Sequence, residues 1–256
     1  MLEFAGQQRS EKINPTVEMK KAIIIGASSG IGKELARLLV NDGYKVGITG
    51  RRTELLENLK SEHPDAYVCK VFDVKDTKLA GEQLQELVAE LGGLDLLIVS
   101  SGTGEINDTL NFEIELRTIE TNVIGWTCIS DWAFNYFEKQ KQGHLVAISS
   151  IGGLRGSRQS TSYNATKAYQ INYLEGLRQK ATKLKEQIYI TDIRPGLVDT
   201  AMAKGEGLFW VMPLEKAVQQ MYTAIKKKKR IAYVTRRWRI IAAIIKRMPG
   251  AVYERM

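Results

Sequence analysis

A strand, a glycine loop and a helix follow one another near the start of the chain. The apolar run Lys21–Ile25 precedes Gly26-Ala27-Ser28-Ser29-Gly30-Ile31-Gly32, and a helical pattern occupies residues 33–40. Glycine permits a tight turn and close approach of the backbone to a ligand, and free N–H groups at a helix start favour phosphate. A glycine triplet alone is more often only a turn, but this context predicts a dinucleotide site. The predicted contacts are Gly26, Ser28, Ser29, Gly30, Ile31 and Gly32.

The second apolar run, residues 44–49, ends at Gly50-Arg51-Arg52. A cofactor with free ribose hydroxyls is usually met here by an acidic side chain, whereas arginine meets the 2′-phosphate of NADP(H). The acidic residue is absent, so the sequence favours NADP(H) over NAD(H), with Arg51 and Arg52 at the 2′-phosphate and Ser28 as a further donor. The alternative is that both arginines lie at a solvated helix start.

Apolar, strand-like runs alternate with helical patterns along the chain. The runs lie at 22–25, 44–49, 66–72, 94–99, 143–149, 188–193 and 231–234, and helical patterns include 76–91 and 160–185. This alternation predicts an α/β, Rossmann-type, doubly wound parallel sheet of about seven strands with helices on both faces. No Pro/Gly/Ser-rich linker divides the 256 residues. We expect a flexible leader at 1–18, a catalytic domain at 19–235 and a basic amphipathic extension at 236–256.

A hydroxyl, a phenol and an ammonium are grouped between Ser150 and Lys167. Tyr163 and Lys167 are spaced i, i+4 and share one helix face, and Ser150 follows the apolar run 145–148. An ammonium so placed would lower the pKa of the phenol toward neutrality, as general acid or base catalysis requires. The spacing predicts Tyr163 as proton donor or acceptor, assisted by Lys167, with Ser150 orienting the substrate oxygen.

A second Tyr-x-x-x-Lys pair occurs at Tyr222 and Lys226. It has no serine-bearing strand end before it, and its lysine belongs to a basic run. We interpret it as a chance copy, which makes it an internal control.

In this order, the motifs resemble those of the single-domain short-chain dehydrogenase/reductases, from about Lys21 to Thr235. The resemblance implies hydride transfer between a nicotinamide and a carbonyl or alcohol, with Tyr163 and Lys167 also touching the cofactor. It implies that Asn122 is a fourth catalytic residue, whose side chain holds a water connecting Lys167 to solvent. The other implied cofactor contacts are Asp73 and Val74 beside the adenine, the Gly102 segment, and Pro195, Gly196, Val198 and Thr200 around the nicotinamide carboxamide.

The chain departs from that family at two places. Val99-Ser100-Ser101-Gly102 replaces the usual Asn-Asn-Ala-Gly, and Ile25 replaces the usual threonine before Gly26. Neither change removes a chemical group from the reaction, so we expect cofactor binding to persist with altered local hydrogen bonding.

Cysteine, histidine and apolar patterning limit the other functions. Cys69 and Cys128 lack metal-ligand spacing, His63 and His144 are isolated, and no apolar run reaches about 18 residues. We expect reduced thiols, no metal and a cytoplasmic location. The family resemblance implies assembly as a homodimer or homotetramer.

The positive charge is concentrated at the end of the chain. Residues 226–256 contain eleven Lys and Arg side chains against one Glu, although the net charge of the whole chain is only +8. Residues 236–248 predict a basic amphipathic helix that ends before Pro249. Such a helix can lie in a membrane interface, or it can pack on its own or a partner subunit. The sequence leaves both alternatives open.

Only twelve residues separate Thr200 from Pro213. A segment this short predicts an open, apolar pocket for a hydrophobic ketone or secondary alcohol. Phe209 and Trp210 could instead anchor the segment to the core. A non-catalytic NADP(H)-binding sensor or scaffold is the alternative function, and no nucleic-acid motif is present. The expected substrate contacts are Ser150, Met202, Leu208, Phe209 and Trp210.

Overall fold

A single parallel sheet organises the protein. The computed structural model describes residues 19–202 and 210–255. Within them the sheet has the strand order β3-β2-β1-β4-β5-β6-β7. The chain reverses its direction of winding between β1 and β4, which is the point where open α/β sheets bind ligands. The strands are β1 Lys21–Ile25, β2 Lys45–Gly50, β3 Tyr67–Val71, β4 Leu96–Val99, β5 Gln142–Ile148, β6 Gln187–Pro195 and β7 Ile231–Val234.

Helices connect the strands and cover both faces of the sheet. A π-helical turn, Glu120–Gly125, joins the fourth helix to the fifth, and a 3₁₀ turn, Ile151–Leu154, follows β5. The α-helices are α1 Gly30–Asn41, α2 Thr53–Glu62, α3 Thr77–Leu91, α4 Phe112–Ile119, α5 Trp126–Gln140, α6 Thr161–Leu184, α7 Leu214–Lys226, α8 Arg236–Arg247 and α9 Gly250–Tyr253.

The two faces of the sheet have separate hydrophobic cores. Successive side chains of a strand point to opposite faces, so Ala22 and Ile24 pack with α1, α2 and α7, while Ile23 and Ile25 pack with α3, α5 and α6. Strand β1 is therefore apolar on both sides, which explains its continuous hydrophobic run. The predicted doubly wound architecture is confirmed.

The C-terminal helix α8 packs on the same body as the sheet. It contacts β7 and the 3₁₀ turn after β5, and Trp238 and Ala242 are buried. Packing on its own subunit is one of the alternatives that the sequence leaves open for this helix, and the division into a domain at 19–235 and an extension at 236–256 stays a prediction. None of the helices in the two described ranges combines the length and apolar character needed to cross a bilayer. The expected leader, residues 1–18, lies outside those ranges.

Candidate active site

The carboxyl ends of the strands open into a cleft of about 1820 Å³. Most residues that the sequence analysis selected meet there, although they come from distant parts of the chain. Gly32, Asn122 and Trp210 do not line the cleft, and Leu208 and Phe209 lie outside the described residues. The selected residues that line it are Gly26, Ser28, Ser29, Gly30, Ile31, Arg51, Arg52, Asp73, Val74, Gly102, Ser150, Tyr163, Lys167, Pro195, Gly196, Val198, Thr200 and Met202.

The glycine loop between β1 and α1 is packed too tightly for other residues. Gly26 has a φ of +87°, and a Cβ there would lie 2.7 Å from the backbone nitrogen of Ser101. A Cβ at Gly32 would overlap the carbonyl oxygen of Gly26. The first turn of α1 contains no acidic residue. The helix N-terminus therefore opens into the cleft without a carboxylate to oppose an incoming phosphate.

The two arginines after β2 have different environments. The Nη2 atom of Arg52 donates hydrogen bonds to Ser28 Oγ at 2.7 Å and to Ser29 Oγ at 2.6 Å. Arg51 is 66% exposed and lies 3.6 Å from an oxygen of Asp73. The structure therefore fixes Arg52 against the glycine loop, while Arg51 remains in solvent beside Asp73.

Ser150 and Tyr163 meet where β5 ends and α6 begins. The Oγ atom of Ser150 accepts a hydrogen bond from the backbone N–H of Gly152 at 3.0 Å, and its hydroxyl lies near enough to the Tyr163 phenol to lower the pKa of that group. Gly104 packs on the phenol ring so closely that a Cβ would overlap it. These contacts fix the phenol oxygen beside the serine hydroxyl.

Lys167 is buried one helical turn after Tyr163. Its Nζ donates to the carbonyl oxygen of Ile148 at 3.0 Å and to Gln170 Oε1 at 3.0 Å. The side chain of Gln170, which is fully buried, also donates from Nε2 to the carbonyl oxygen of Asn122 at 2.9 Å. Gln170 thus connects the lysine to the π-helical turn. Gln170 is not among the residues predicted for the site, although its i, i+3 spacing from Lys167 places both on one helix face.

Burial shifts the pKa values of the tyrosine and the lysine in opposite directions. It raises the pKa of Tyr163, and the neighbouring Ser150 hydroxyl only partly opposes this effect. It lowers the pKa of Lys167 to about 8, against the attraction of Asp192. The expected net lowering of the phenol pKa is therefore not found in this site: burial outweighs the ammonium, whose Nζ donates to Ile148 and Gln170 and lies 5.7 Å from the ring centroid. At neutral pH the pair is a phenol beside an ammonium.

Asn122 organises the site from behind the cleft. Its Oδ1 accepts from Thr103 N at 2.9 Å, and its Nδ2 donates to Thr103 O at 2.7 Å and Thr166 Oγ1 at 3.1 Å. The amide therefore ties the segment after β4 to α6. These contacts leave the second acceptor site of Oδ1 unused within the described residues, and the implied role of the Asn122 side chain as the holder of a water stays a prediction. The backbone carbonyl oxygen of Asn122, in the π-helical turn, accepts the hydrogen bond from Gln170.

The residues of the cleft fit a phosphorylated dinucleotide such as NADP(H). The buried Oγ atom of Ser101, next to the glycine loop, has no protein partner. Ser100 N donates to Ile25 O at 2.9 Å, so the backbone continues the sheet without the amides usual in the resembled family. The cationic and hydroxyl donors of Arg52, Ser28 and Ser29 suit a phosphate monoester. The departures after β4 thus leave the cradle intact.

One wall of the cleft is apolar and comes from α8. Trp238, Ile241 and Ile245 line it together with Met202, and the sequence analysis had not selected the first three. Trp210 lies outside the cleft and packs edge-on against Trp238, with ring centroids 6.3 Å apart. This contact agrees with the anchoring alternative, and the expected contact of Trp210 with substrate stays a prediction.

Arg155 joins the loop that follows Ser150 to the end of the chain. Its Nη1 donates to the carbonyl oxygen of Met248 at 3.1 Å, and its guanidinium lies 4.5 Å from the centroid of the Tyr253 ring. The hydroxyl of Tyr253 in turn donates to the carbonyl oxygen of Gly156 at 2.5 Å. The active-site loop is thus held by contacts from about a hundred residues away.

The second Tyr-x-x-x-Lys pair lies away from the cleft. Lys226 forms an ion pair with Asp42 at 3.0 Å, and Tyr222 packs against the core beside α1. Neither residue lines the cleft. The structure therefore supports using this pair as a control for the first.

Comparisons with known proteins agree with this geometry. The family model described as short chain dehydrogenase matches residues 20–208. An uncharacterized oxidoreductase of Staphylococcus aureus is 32% identical over 186 residues, covering 72% of this chain and 80% of the relative. Another, from Myxococcus xanthus, is 33% identical over 190 residues, covering 72% and 74%.

Solved structures share the fold. A short chain dehydrogenase from Burkholderia cenocepacia in complex with NADP superposes with a TM-score of 0.80 at 20% identity, covering 93% of this chain and 97% of the other. ElxO with NADP bound gives a TM-score of 0.74 at 23% identity, covering 84% and 97%. At these identities the likeness establishes the architecture.

Proposed function

Because the chain belongs to the short-chain dehydrogenase family of oxidoreductases, we propose that it transfers a hydride between NADP(H) and a carbonyl or alcohol. The observation that carries this proposal is the convergence of Ser150, Tyr163 and Lys167 on the same cleft. Three groups of different chemistry converge there on a space where one substrate oxygen fits.

Reduction of a carbonyl is the direction that the site favours at neutral pH. Tyr163 has a raised pKa and is therefore protonated, so it can give its proton to the substrate oxygen while Ser150 donates a hydrogen bond to the same atom. The Lys167 ammonium stabilises the phenolate that the transfer leaves behind. NADP(H), when bound, supplies or accepts the hydride. Oxidation requires Tyr163 as a base, which its pKa favours only at alkaline pH.

The cofactor preference is proposed from the glycine loop. Arg52, with Ser28 and Ser29, is the group we assign to the 2′-phosphate, and Arg51 is assigned a weaker, solvent-exposed contact. The supporting observation is the pair of hydrogen bonds that fixes the Arg52 guanidinium. NADP is bound in both solved structures described above, which agrees with this assignment. The remaining assigned contacts are Gly26, Gly30, Ile31, Asp73, Val74, Gly102, Pro195, Gly196, Val198 and Thr200.

Tyr163→Phe tests the chemistry directly. Loss of the phenol oxygen removes the proton donor, and we expect turnover of a carbonyl substrate to fall by about 10²–10⁴-fold. NADPH binding, measured by fluorescence titration, should be unchanged. Tyr222→Phe is the matched control and should keep full turnover. A Tyr163→Phe protein that retains most of its kcat would instead identify another proton donor, and normal cofactor binding without turnover of any carbonyl by the wild type would favour the sensor role.

The substrate class is proposed from the wall that α8 supplies. Trp238, Ile241, Ile245 and Met202 offer apolar contacts beside the Ser150 hydroxyl, so we assign a hydrophobic ketone or secondary alcohol to the pocket. A panel of aliphatic, aromatic and sterol ketones against polar sugars tests this assignment. Ile241→Ser should raise KM for the apolar ketones, and a preference for the sugars would contradict it.

Assembly as a homo-oligomer is proposed from an exposed apolar face. Ile119, Ile124 and Tyr169, on α4, the π-helical turn and α6, are 38%, 51% and 36% exposed, which favours burial against a second copy. Sedimentation of Ile124→Ser against the wild type tests it: a lower mass for the variant supports this face.

We also propose a cytoplasmic location, because Cys69 and Cys128 are both free thiols.

A further inference from the structure

Helix α8 has two different faces. Its inner face is fixed on the protein, with Trp238 and Ala242 buried and the Trp238 ring packed against Gly196. Ile241 and Ile245 complete this face and line the cleft. The inner, apolar side of the amphipathic helix is therefore already packed against its own protein.

The outer face of α8 keeps large apolar side chains in water. Ile240 is 66% exposed and Ile244 is 56% exposed, and a shallow groove runs between them, lined by Ile240, Ala243, Ile244, Arg247 and Met248. Ile240 and Ile244 lie one helical turn apart, and moving both side chains out of water lowers the free energy. This face of the helix is therefore suited to contact with something apolar.

Cations surround these isoleucines. Arg237, Arg239, Lys246 and Arg247 are all exposed, and α8 contains no acidic residue. A second copy of the chain placed symmetrically on this face would bring arginine against arginine. A surface that offers hydrocarbon together with negative charge complements both features, and an anionic bilayer is such a surface.

We propose that the outer face of α8 docks onto an anionic lipid surface, with Ile240 and Ile244 inserted and the flanking cations at the headgroups. Because Ile241 and Ile245 of the same helix line the cleft, docking places this wall of the cleft next to the bilayer. An apolar substrate can then reach Ser150 and Tyr163 from the membrane. The docking itself does not depend on catalytic activity. The delivery of substrate from the membrane rests on the proposed function.

Vesicle flotation of the full chain tests the docking. The probes are vesicles of phosphatidylcholine alone and of phosphatidylcholine mixed with phosphatidylglycerol. We expect binding to the anionic vesicles, weakened by added salt, and much less binding to the neutral ones. Ile240→Ser/Ile244→Ser should weaken binding by about tenfold for each isoleucine. Arg237→Gln/Arg239→Gln should weaken it by about fivefold for each arginine.

The controls separate docking from folding and from catalysis. Leu110→Ser/Phe112→Ser removes two side chains that are 64% and 67% exposed elsewhere on the surface, and it should bind vesicles as the wild type does. NADPH titration checks that each variant is folded. Tyr163→Phe should float normally, so failure of the proposed chemistry and failure of docking are told apart.

Three results would overturn the proposal. The first is wild-type protein that binds neither kind of vesicle, or binds both equally. The second is unchanged vesicle binding by Ile240→Ser/Ile244→Ser. The third is an oligomer that this double variant dissociates while its vesicle binding persists, which would show that the face belongs to a second copy.

Discussion

Gln170 should control the protonation of Lys167. The lysine ammonium has two protein acceptors, Ile148 O and Gln170 Oε1, and a hydrogen bond to a charged group contributes about 1.5–3 kcal/mol. Gln170→Leu removes one acceptor without opening the site to water. This loss corresponds to a roughly ten- to hundredfold shift of the protonation equilibrium toward the neutral amine. The pKa of Lys167, already lowered to about 8, should fall further.

Gln170→Glu should have the opposite effect. A carboxylate of nearly the same shape stabilises the ammonium, so the pKa of Lys167 should rise. The alkaline limb of the pH profile of kcat/KM should therefore move to lower pH in Gln170→Leu and to higher pH in Gln170→Glu. NADPH titration provides the check on folding, and Gln85→Leu on the exposed surface of α3 is the control.

The two variants are informative because they have opposite signs. If their pH profiles superimpose on that of the wild type, Gln170 does not act on the lysine. If both profiles shift in the same direction, the effect is a general disturbance of packing, and the proposed positioning role is wrong. A fall in kcat with an unmoved profile would likewise assign Gln170 to the π-helical turn alone.

Three further substitutions have defined outcomes. Arg52→Asp should weaken NADPH binding much more than Arg51→Asp and leave NADH binding nearly unchanged, because Arg52 alone is fixed by serine hydroxyls; equal effects in fluorescence titrations would contradict this. Gly104→Ala should lower kcat by displacing the Tyr163 ring, whereas Gly176→Ala, where a Cβ meets nothing within 4 Å, should be neutral. Gly196→Ala should destabilise the fold by about 1–3 kcal/mol in denaturant unfolding through overpacking against Trp238, and an additive loss when it is combined with Trp238→Ala would refute that contact.

The fold could be predicted because its determinants are local in the sequence. Each buried strand is a continuous apolar run, and β1 with its glycine loop and α1 forms within about twenty residues. The same locality exposes Tyr163 and Lys167 as neighbours on one helix face. Ser150 could be placed because it directly follows a strand whose end lies at the ligand-binding edge.

The rest of the site depends on contacts between distant segments. In the sequence, Gln170 does not differ from the other polar residues of α6. Only the fold brings its amide between Lys167 and Asn122. The direction in which the pKa of Tyr163 shifts depends on burial, and the spacing of residues in the sequence does not reveal burial. Trp238 belonged to a helix whose partner the sequence left open, so its place in the cleft wall required the tertiary structure.

The contacts of Arg155 with Met248 and Tyr253 have a consequence for the order in which the protein folds during synthesis. Translation proceeds from the N-terminus, and the last strand of the sheet ends at Val234. Met248 and Tyr253, which hold the loop after Ser150, emerge from the ribosome only afterwards. The loop after Ser150 is therefore fastened by residues that are synthesised after every strand of the sheet.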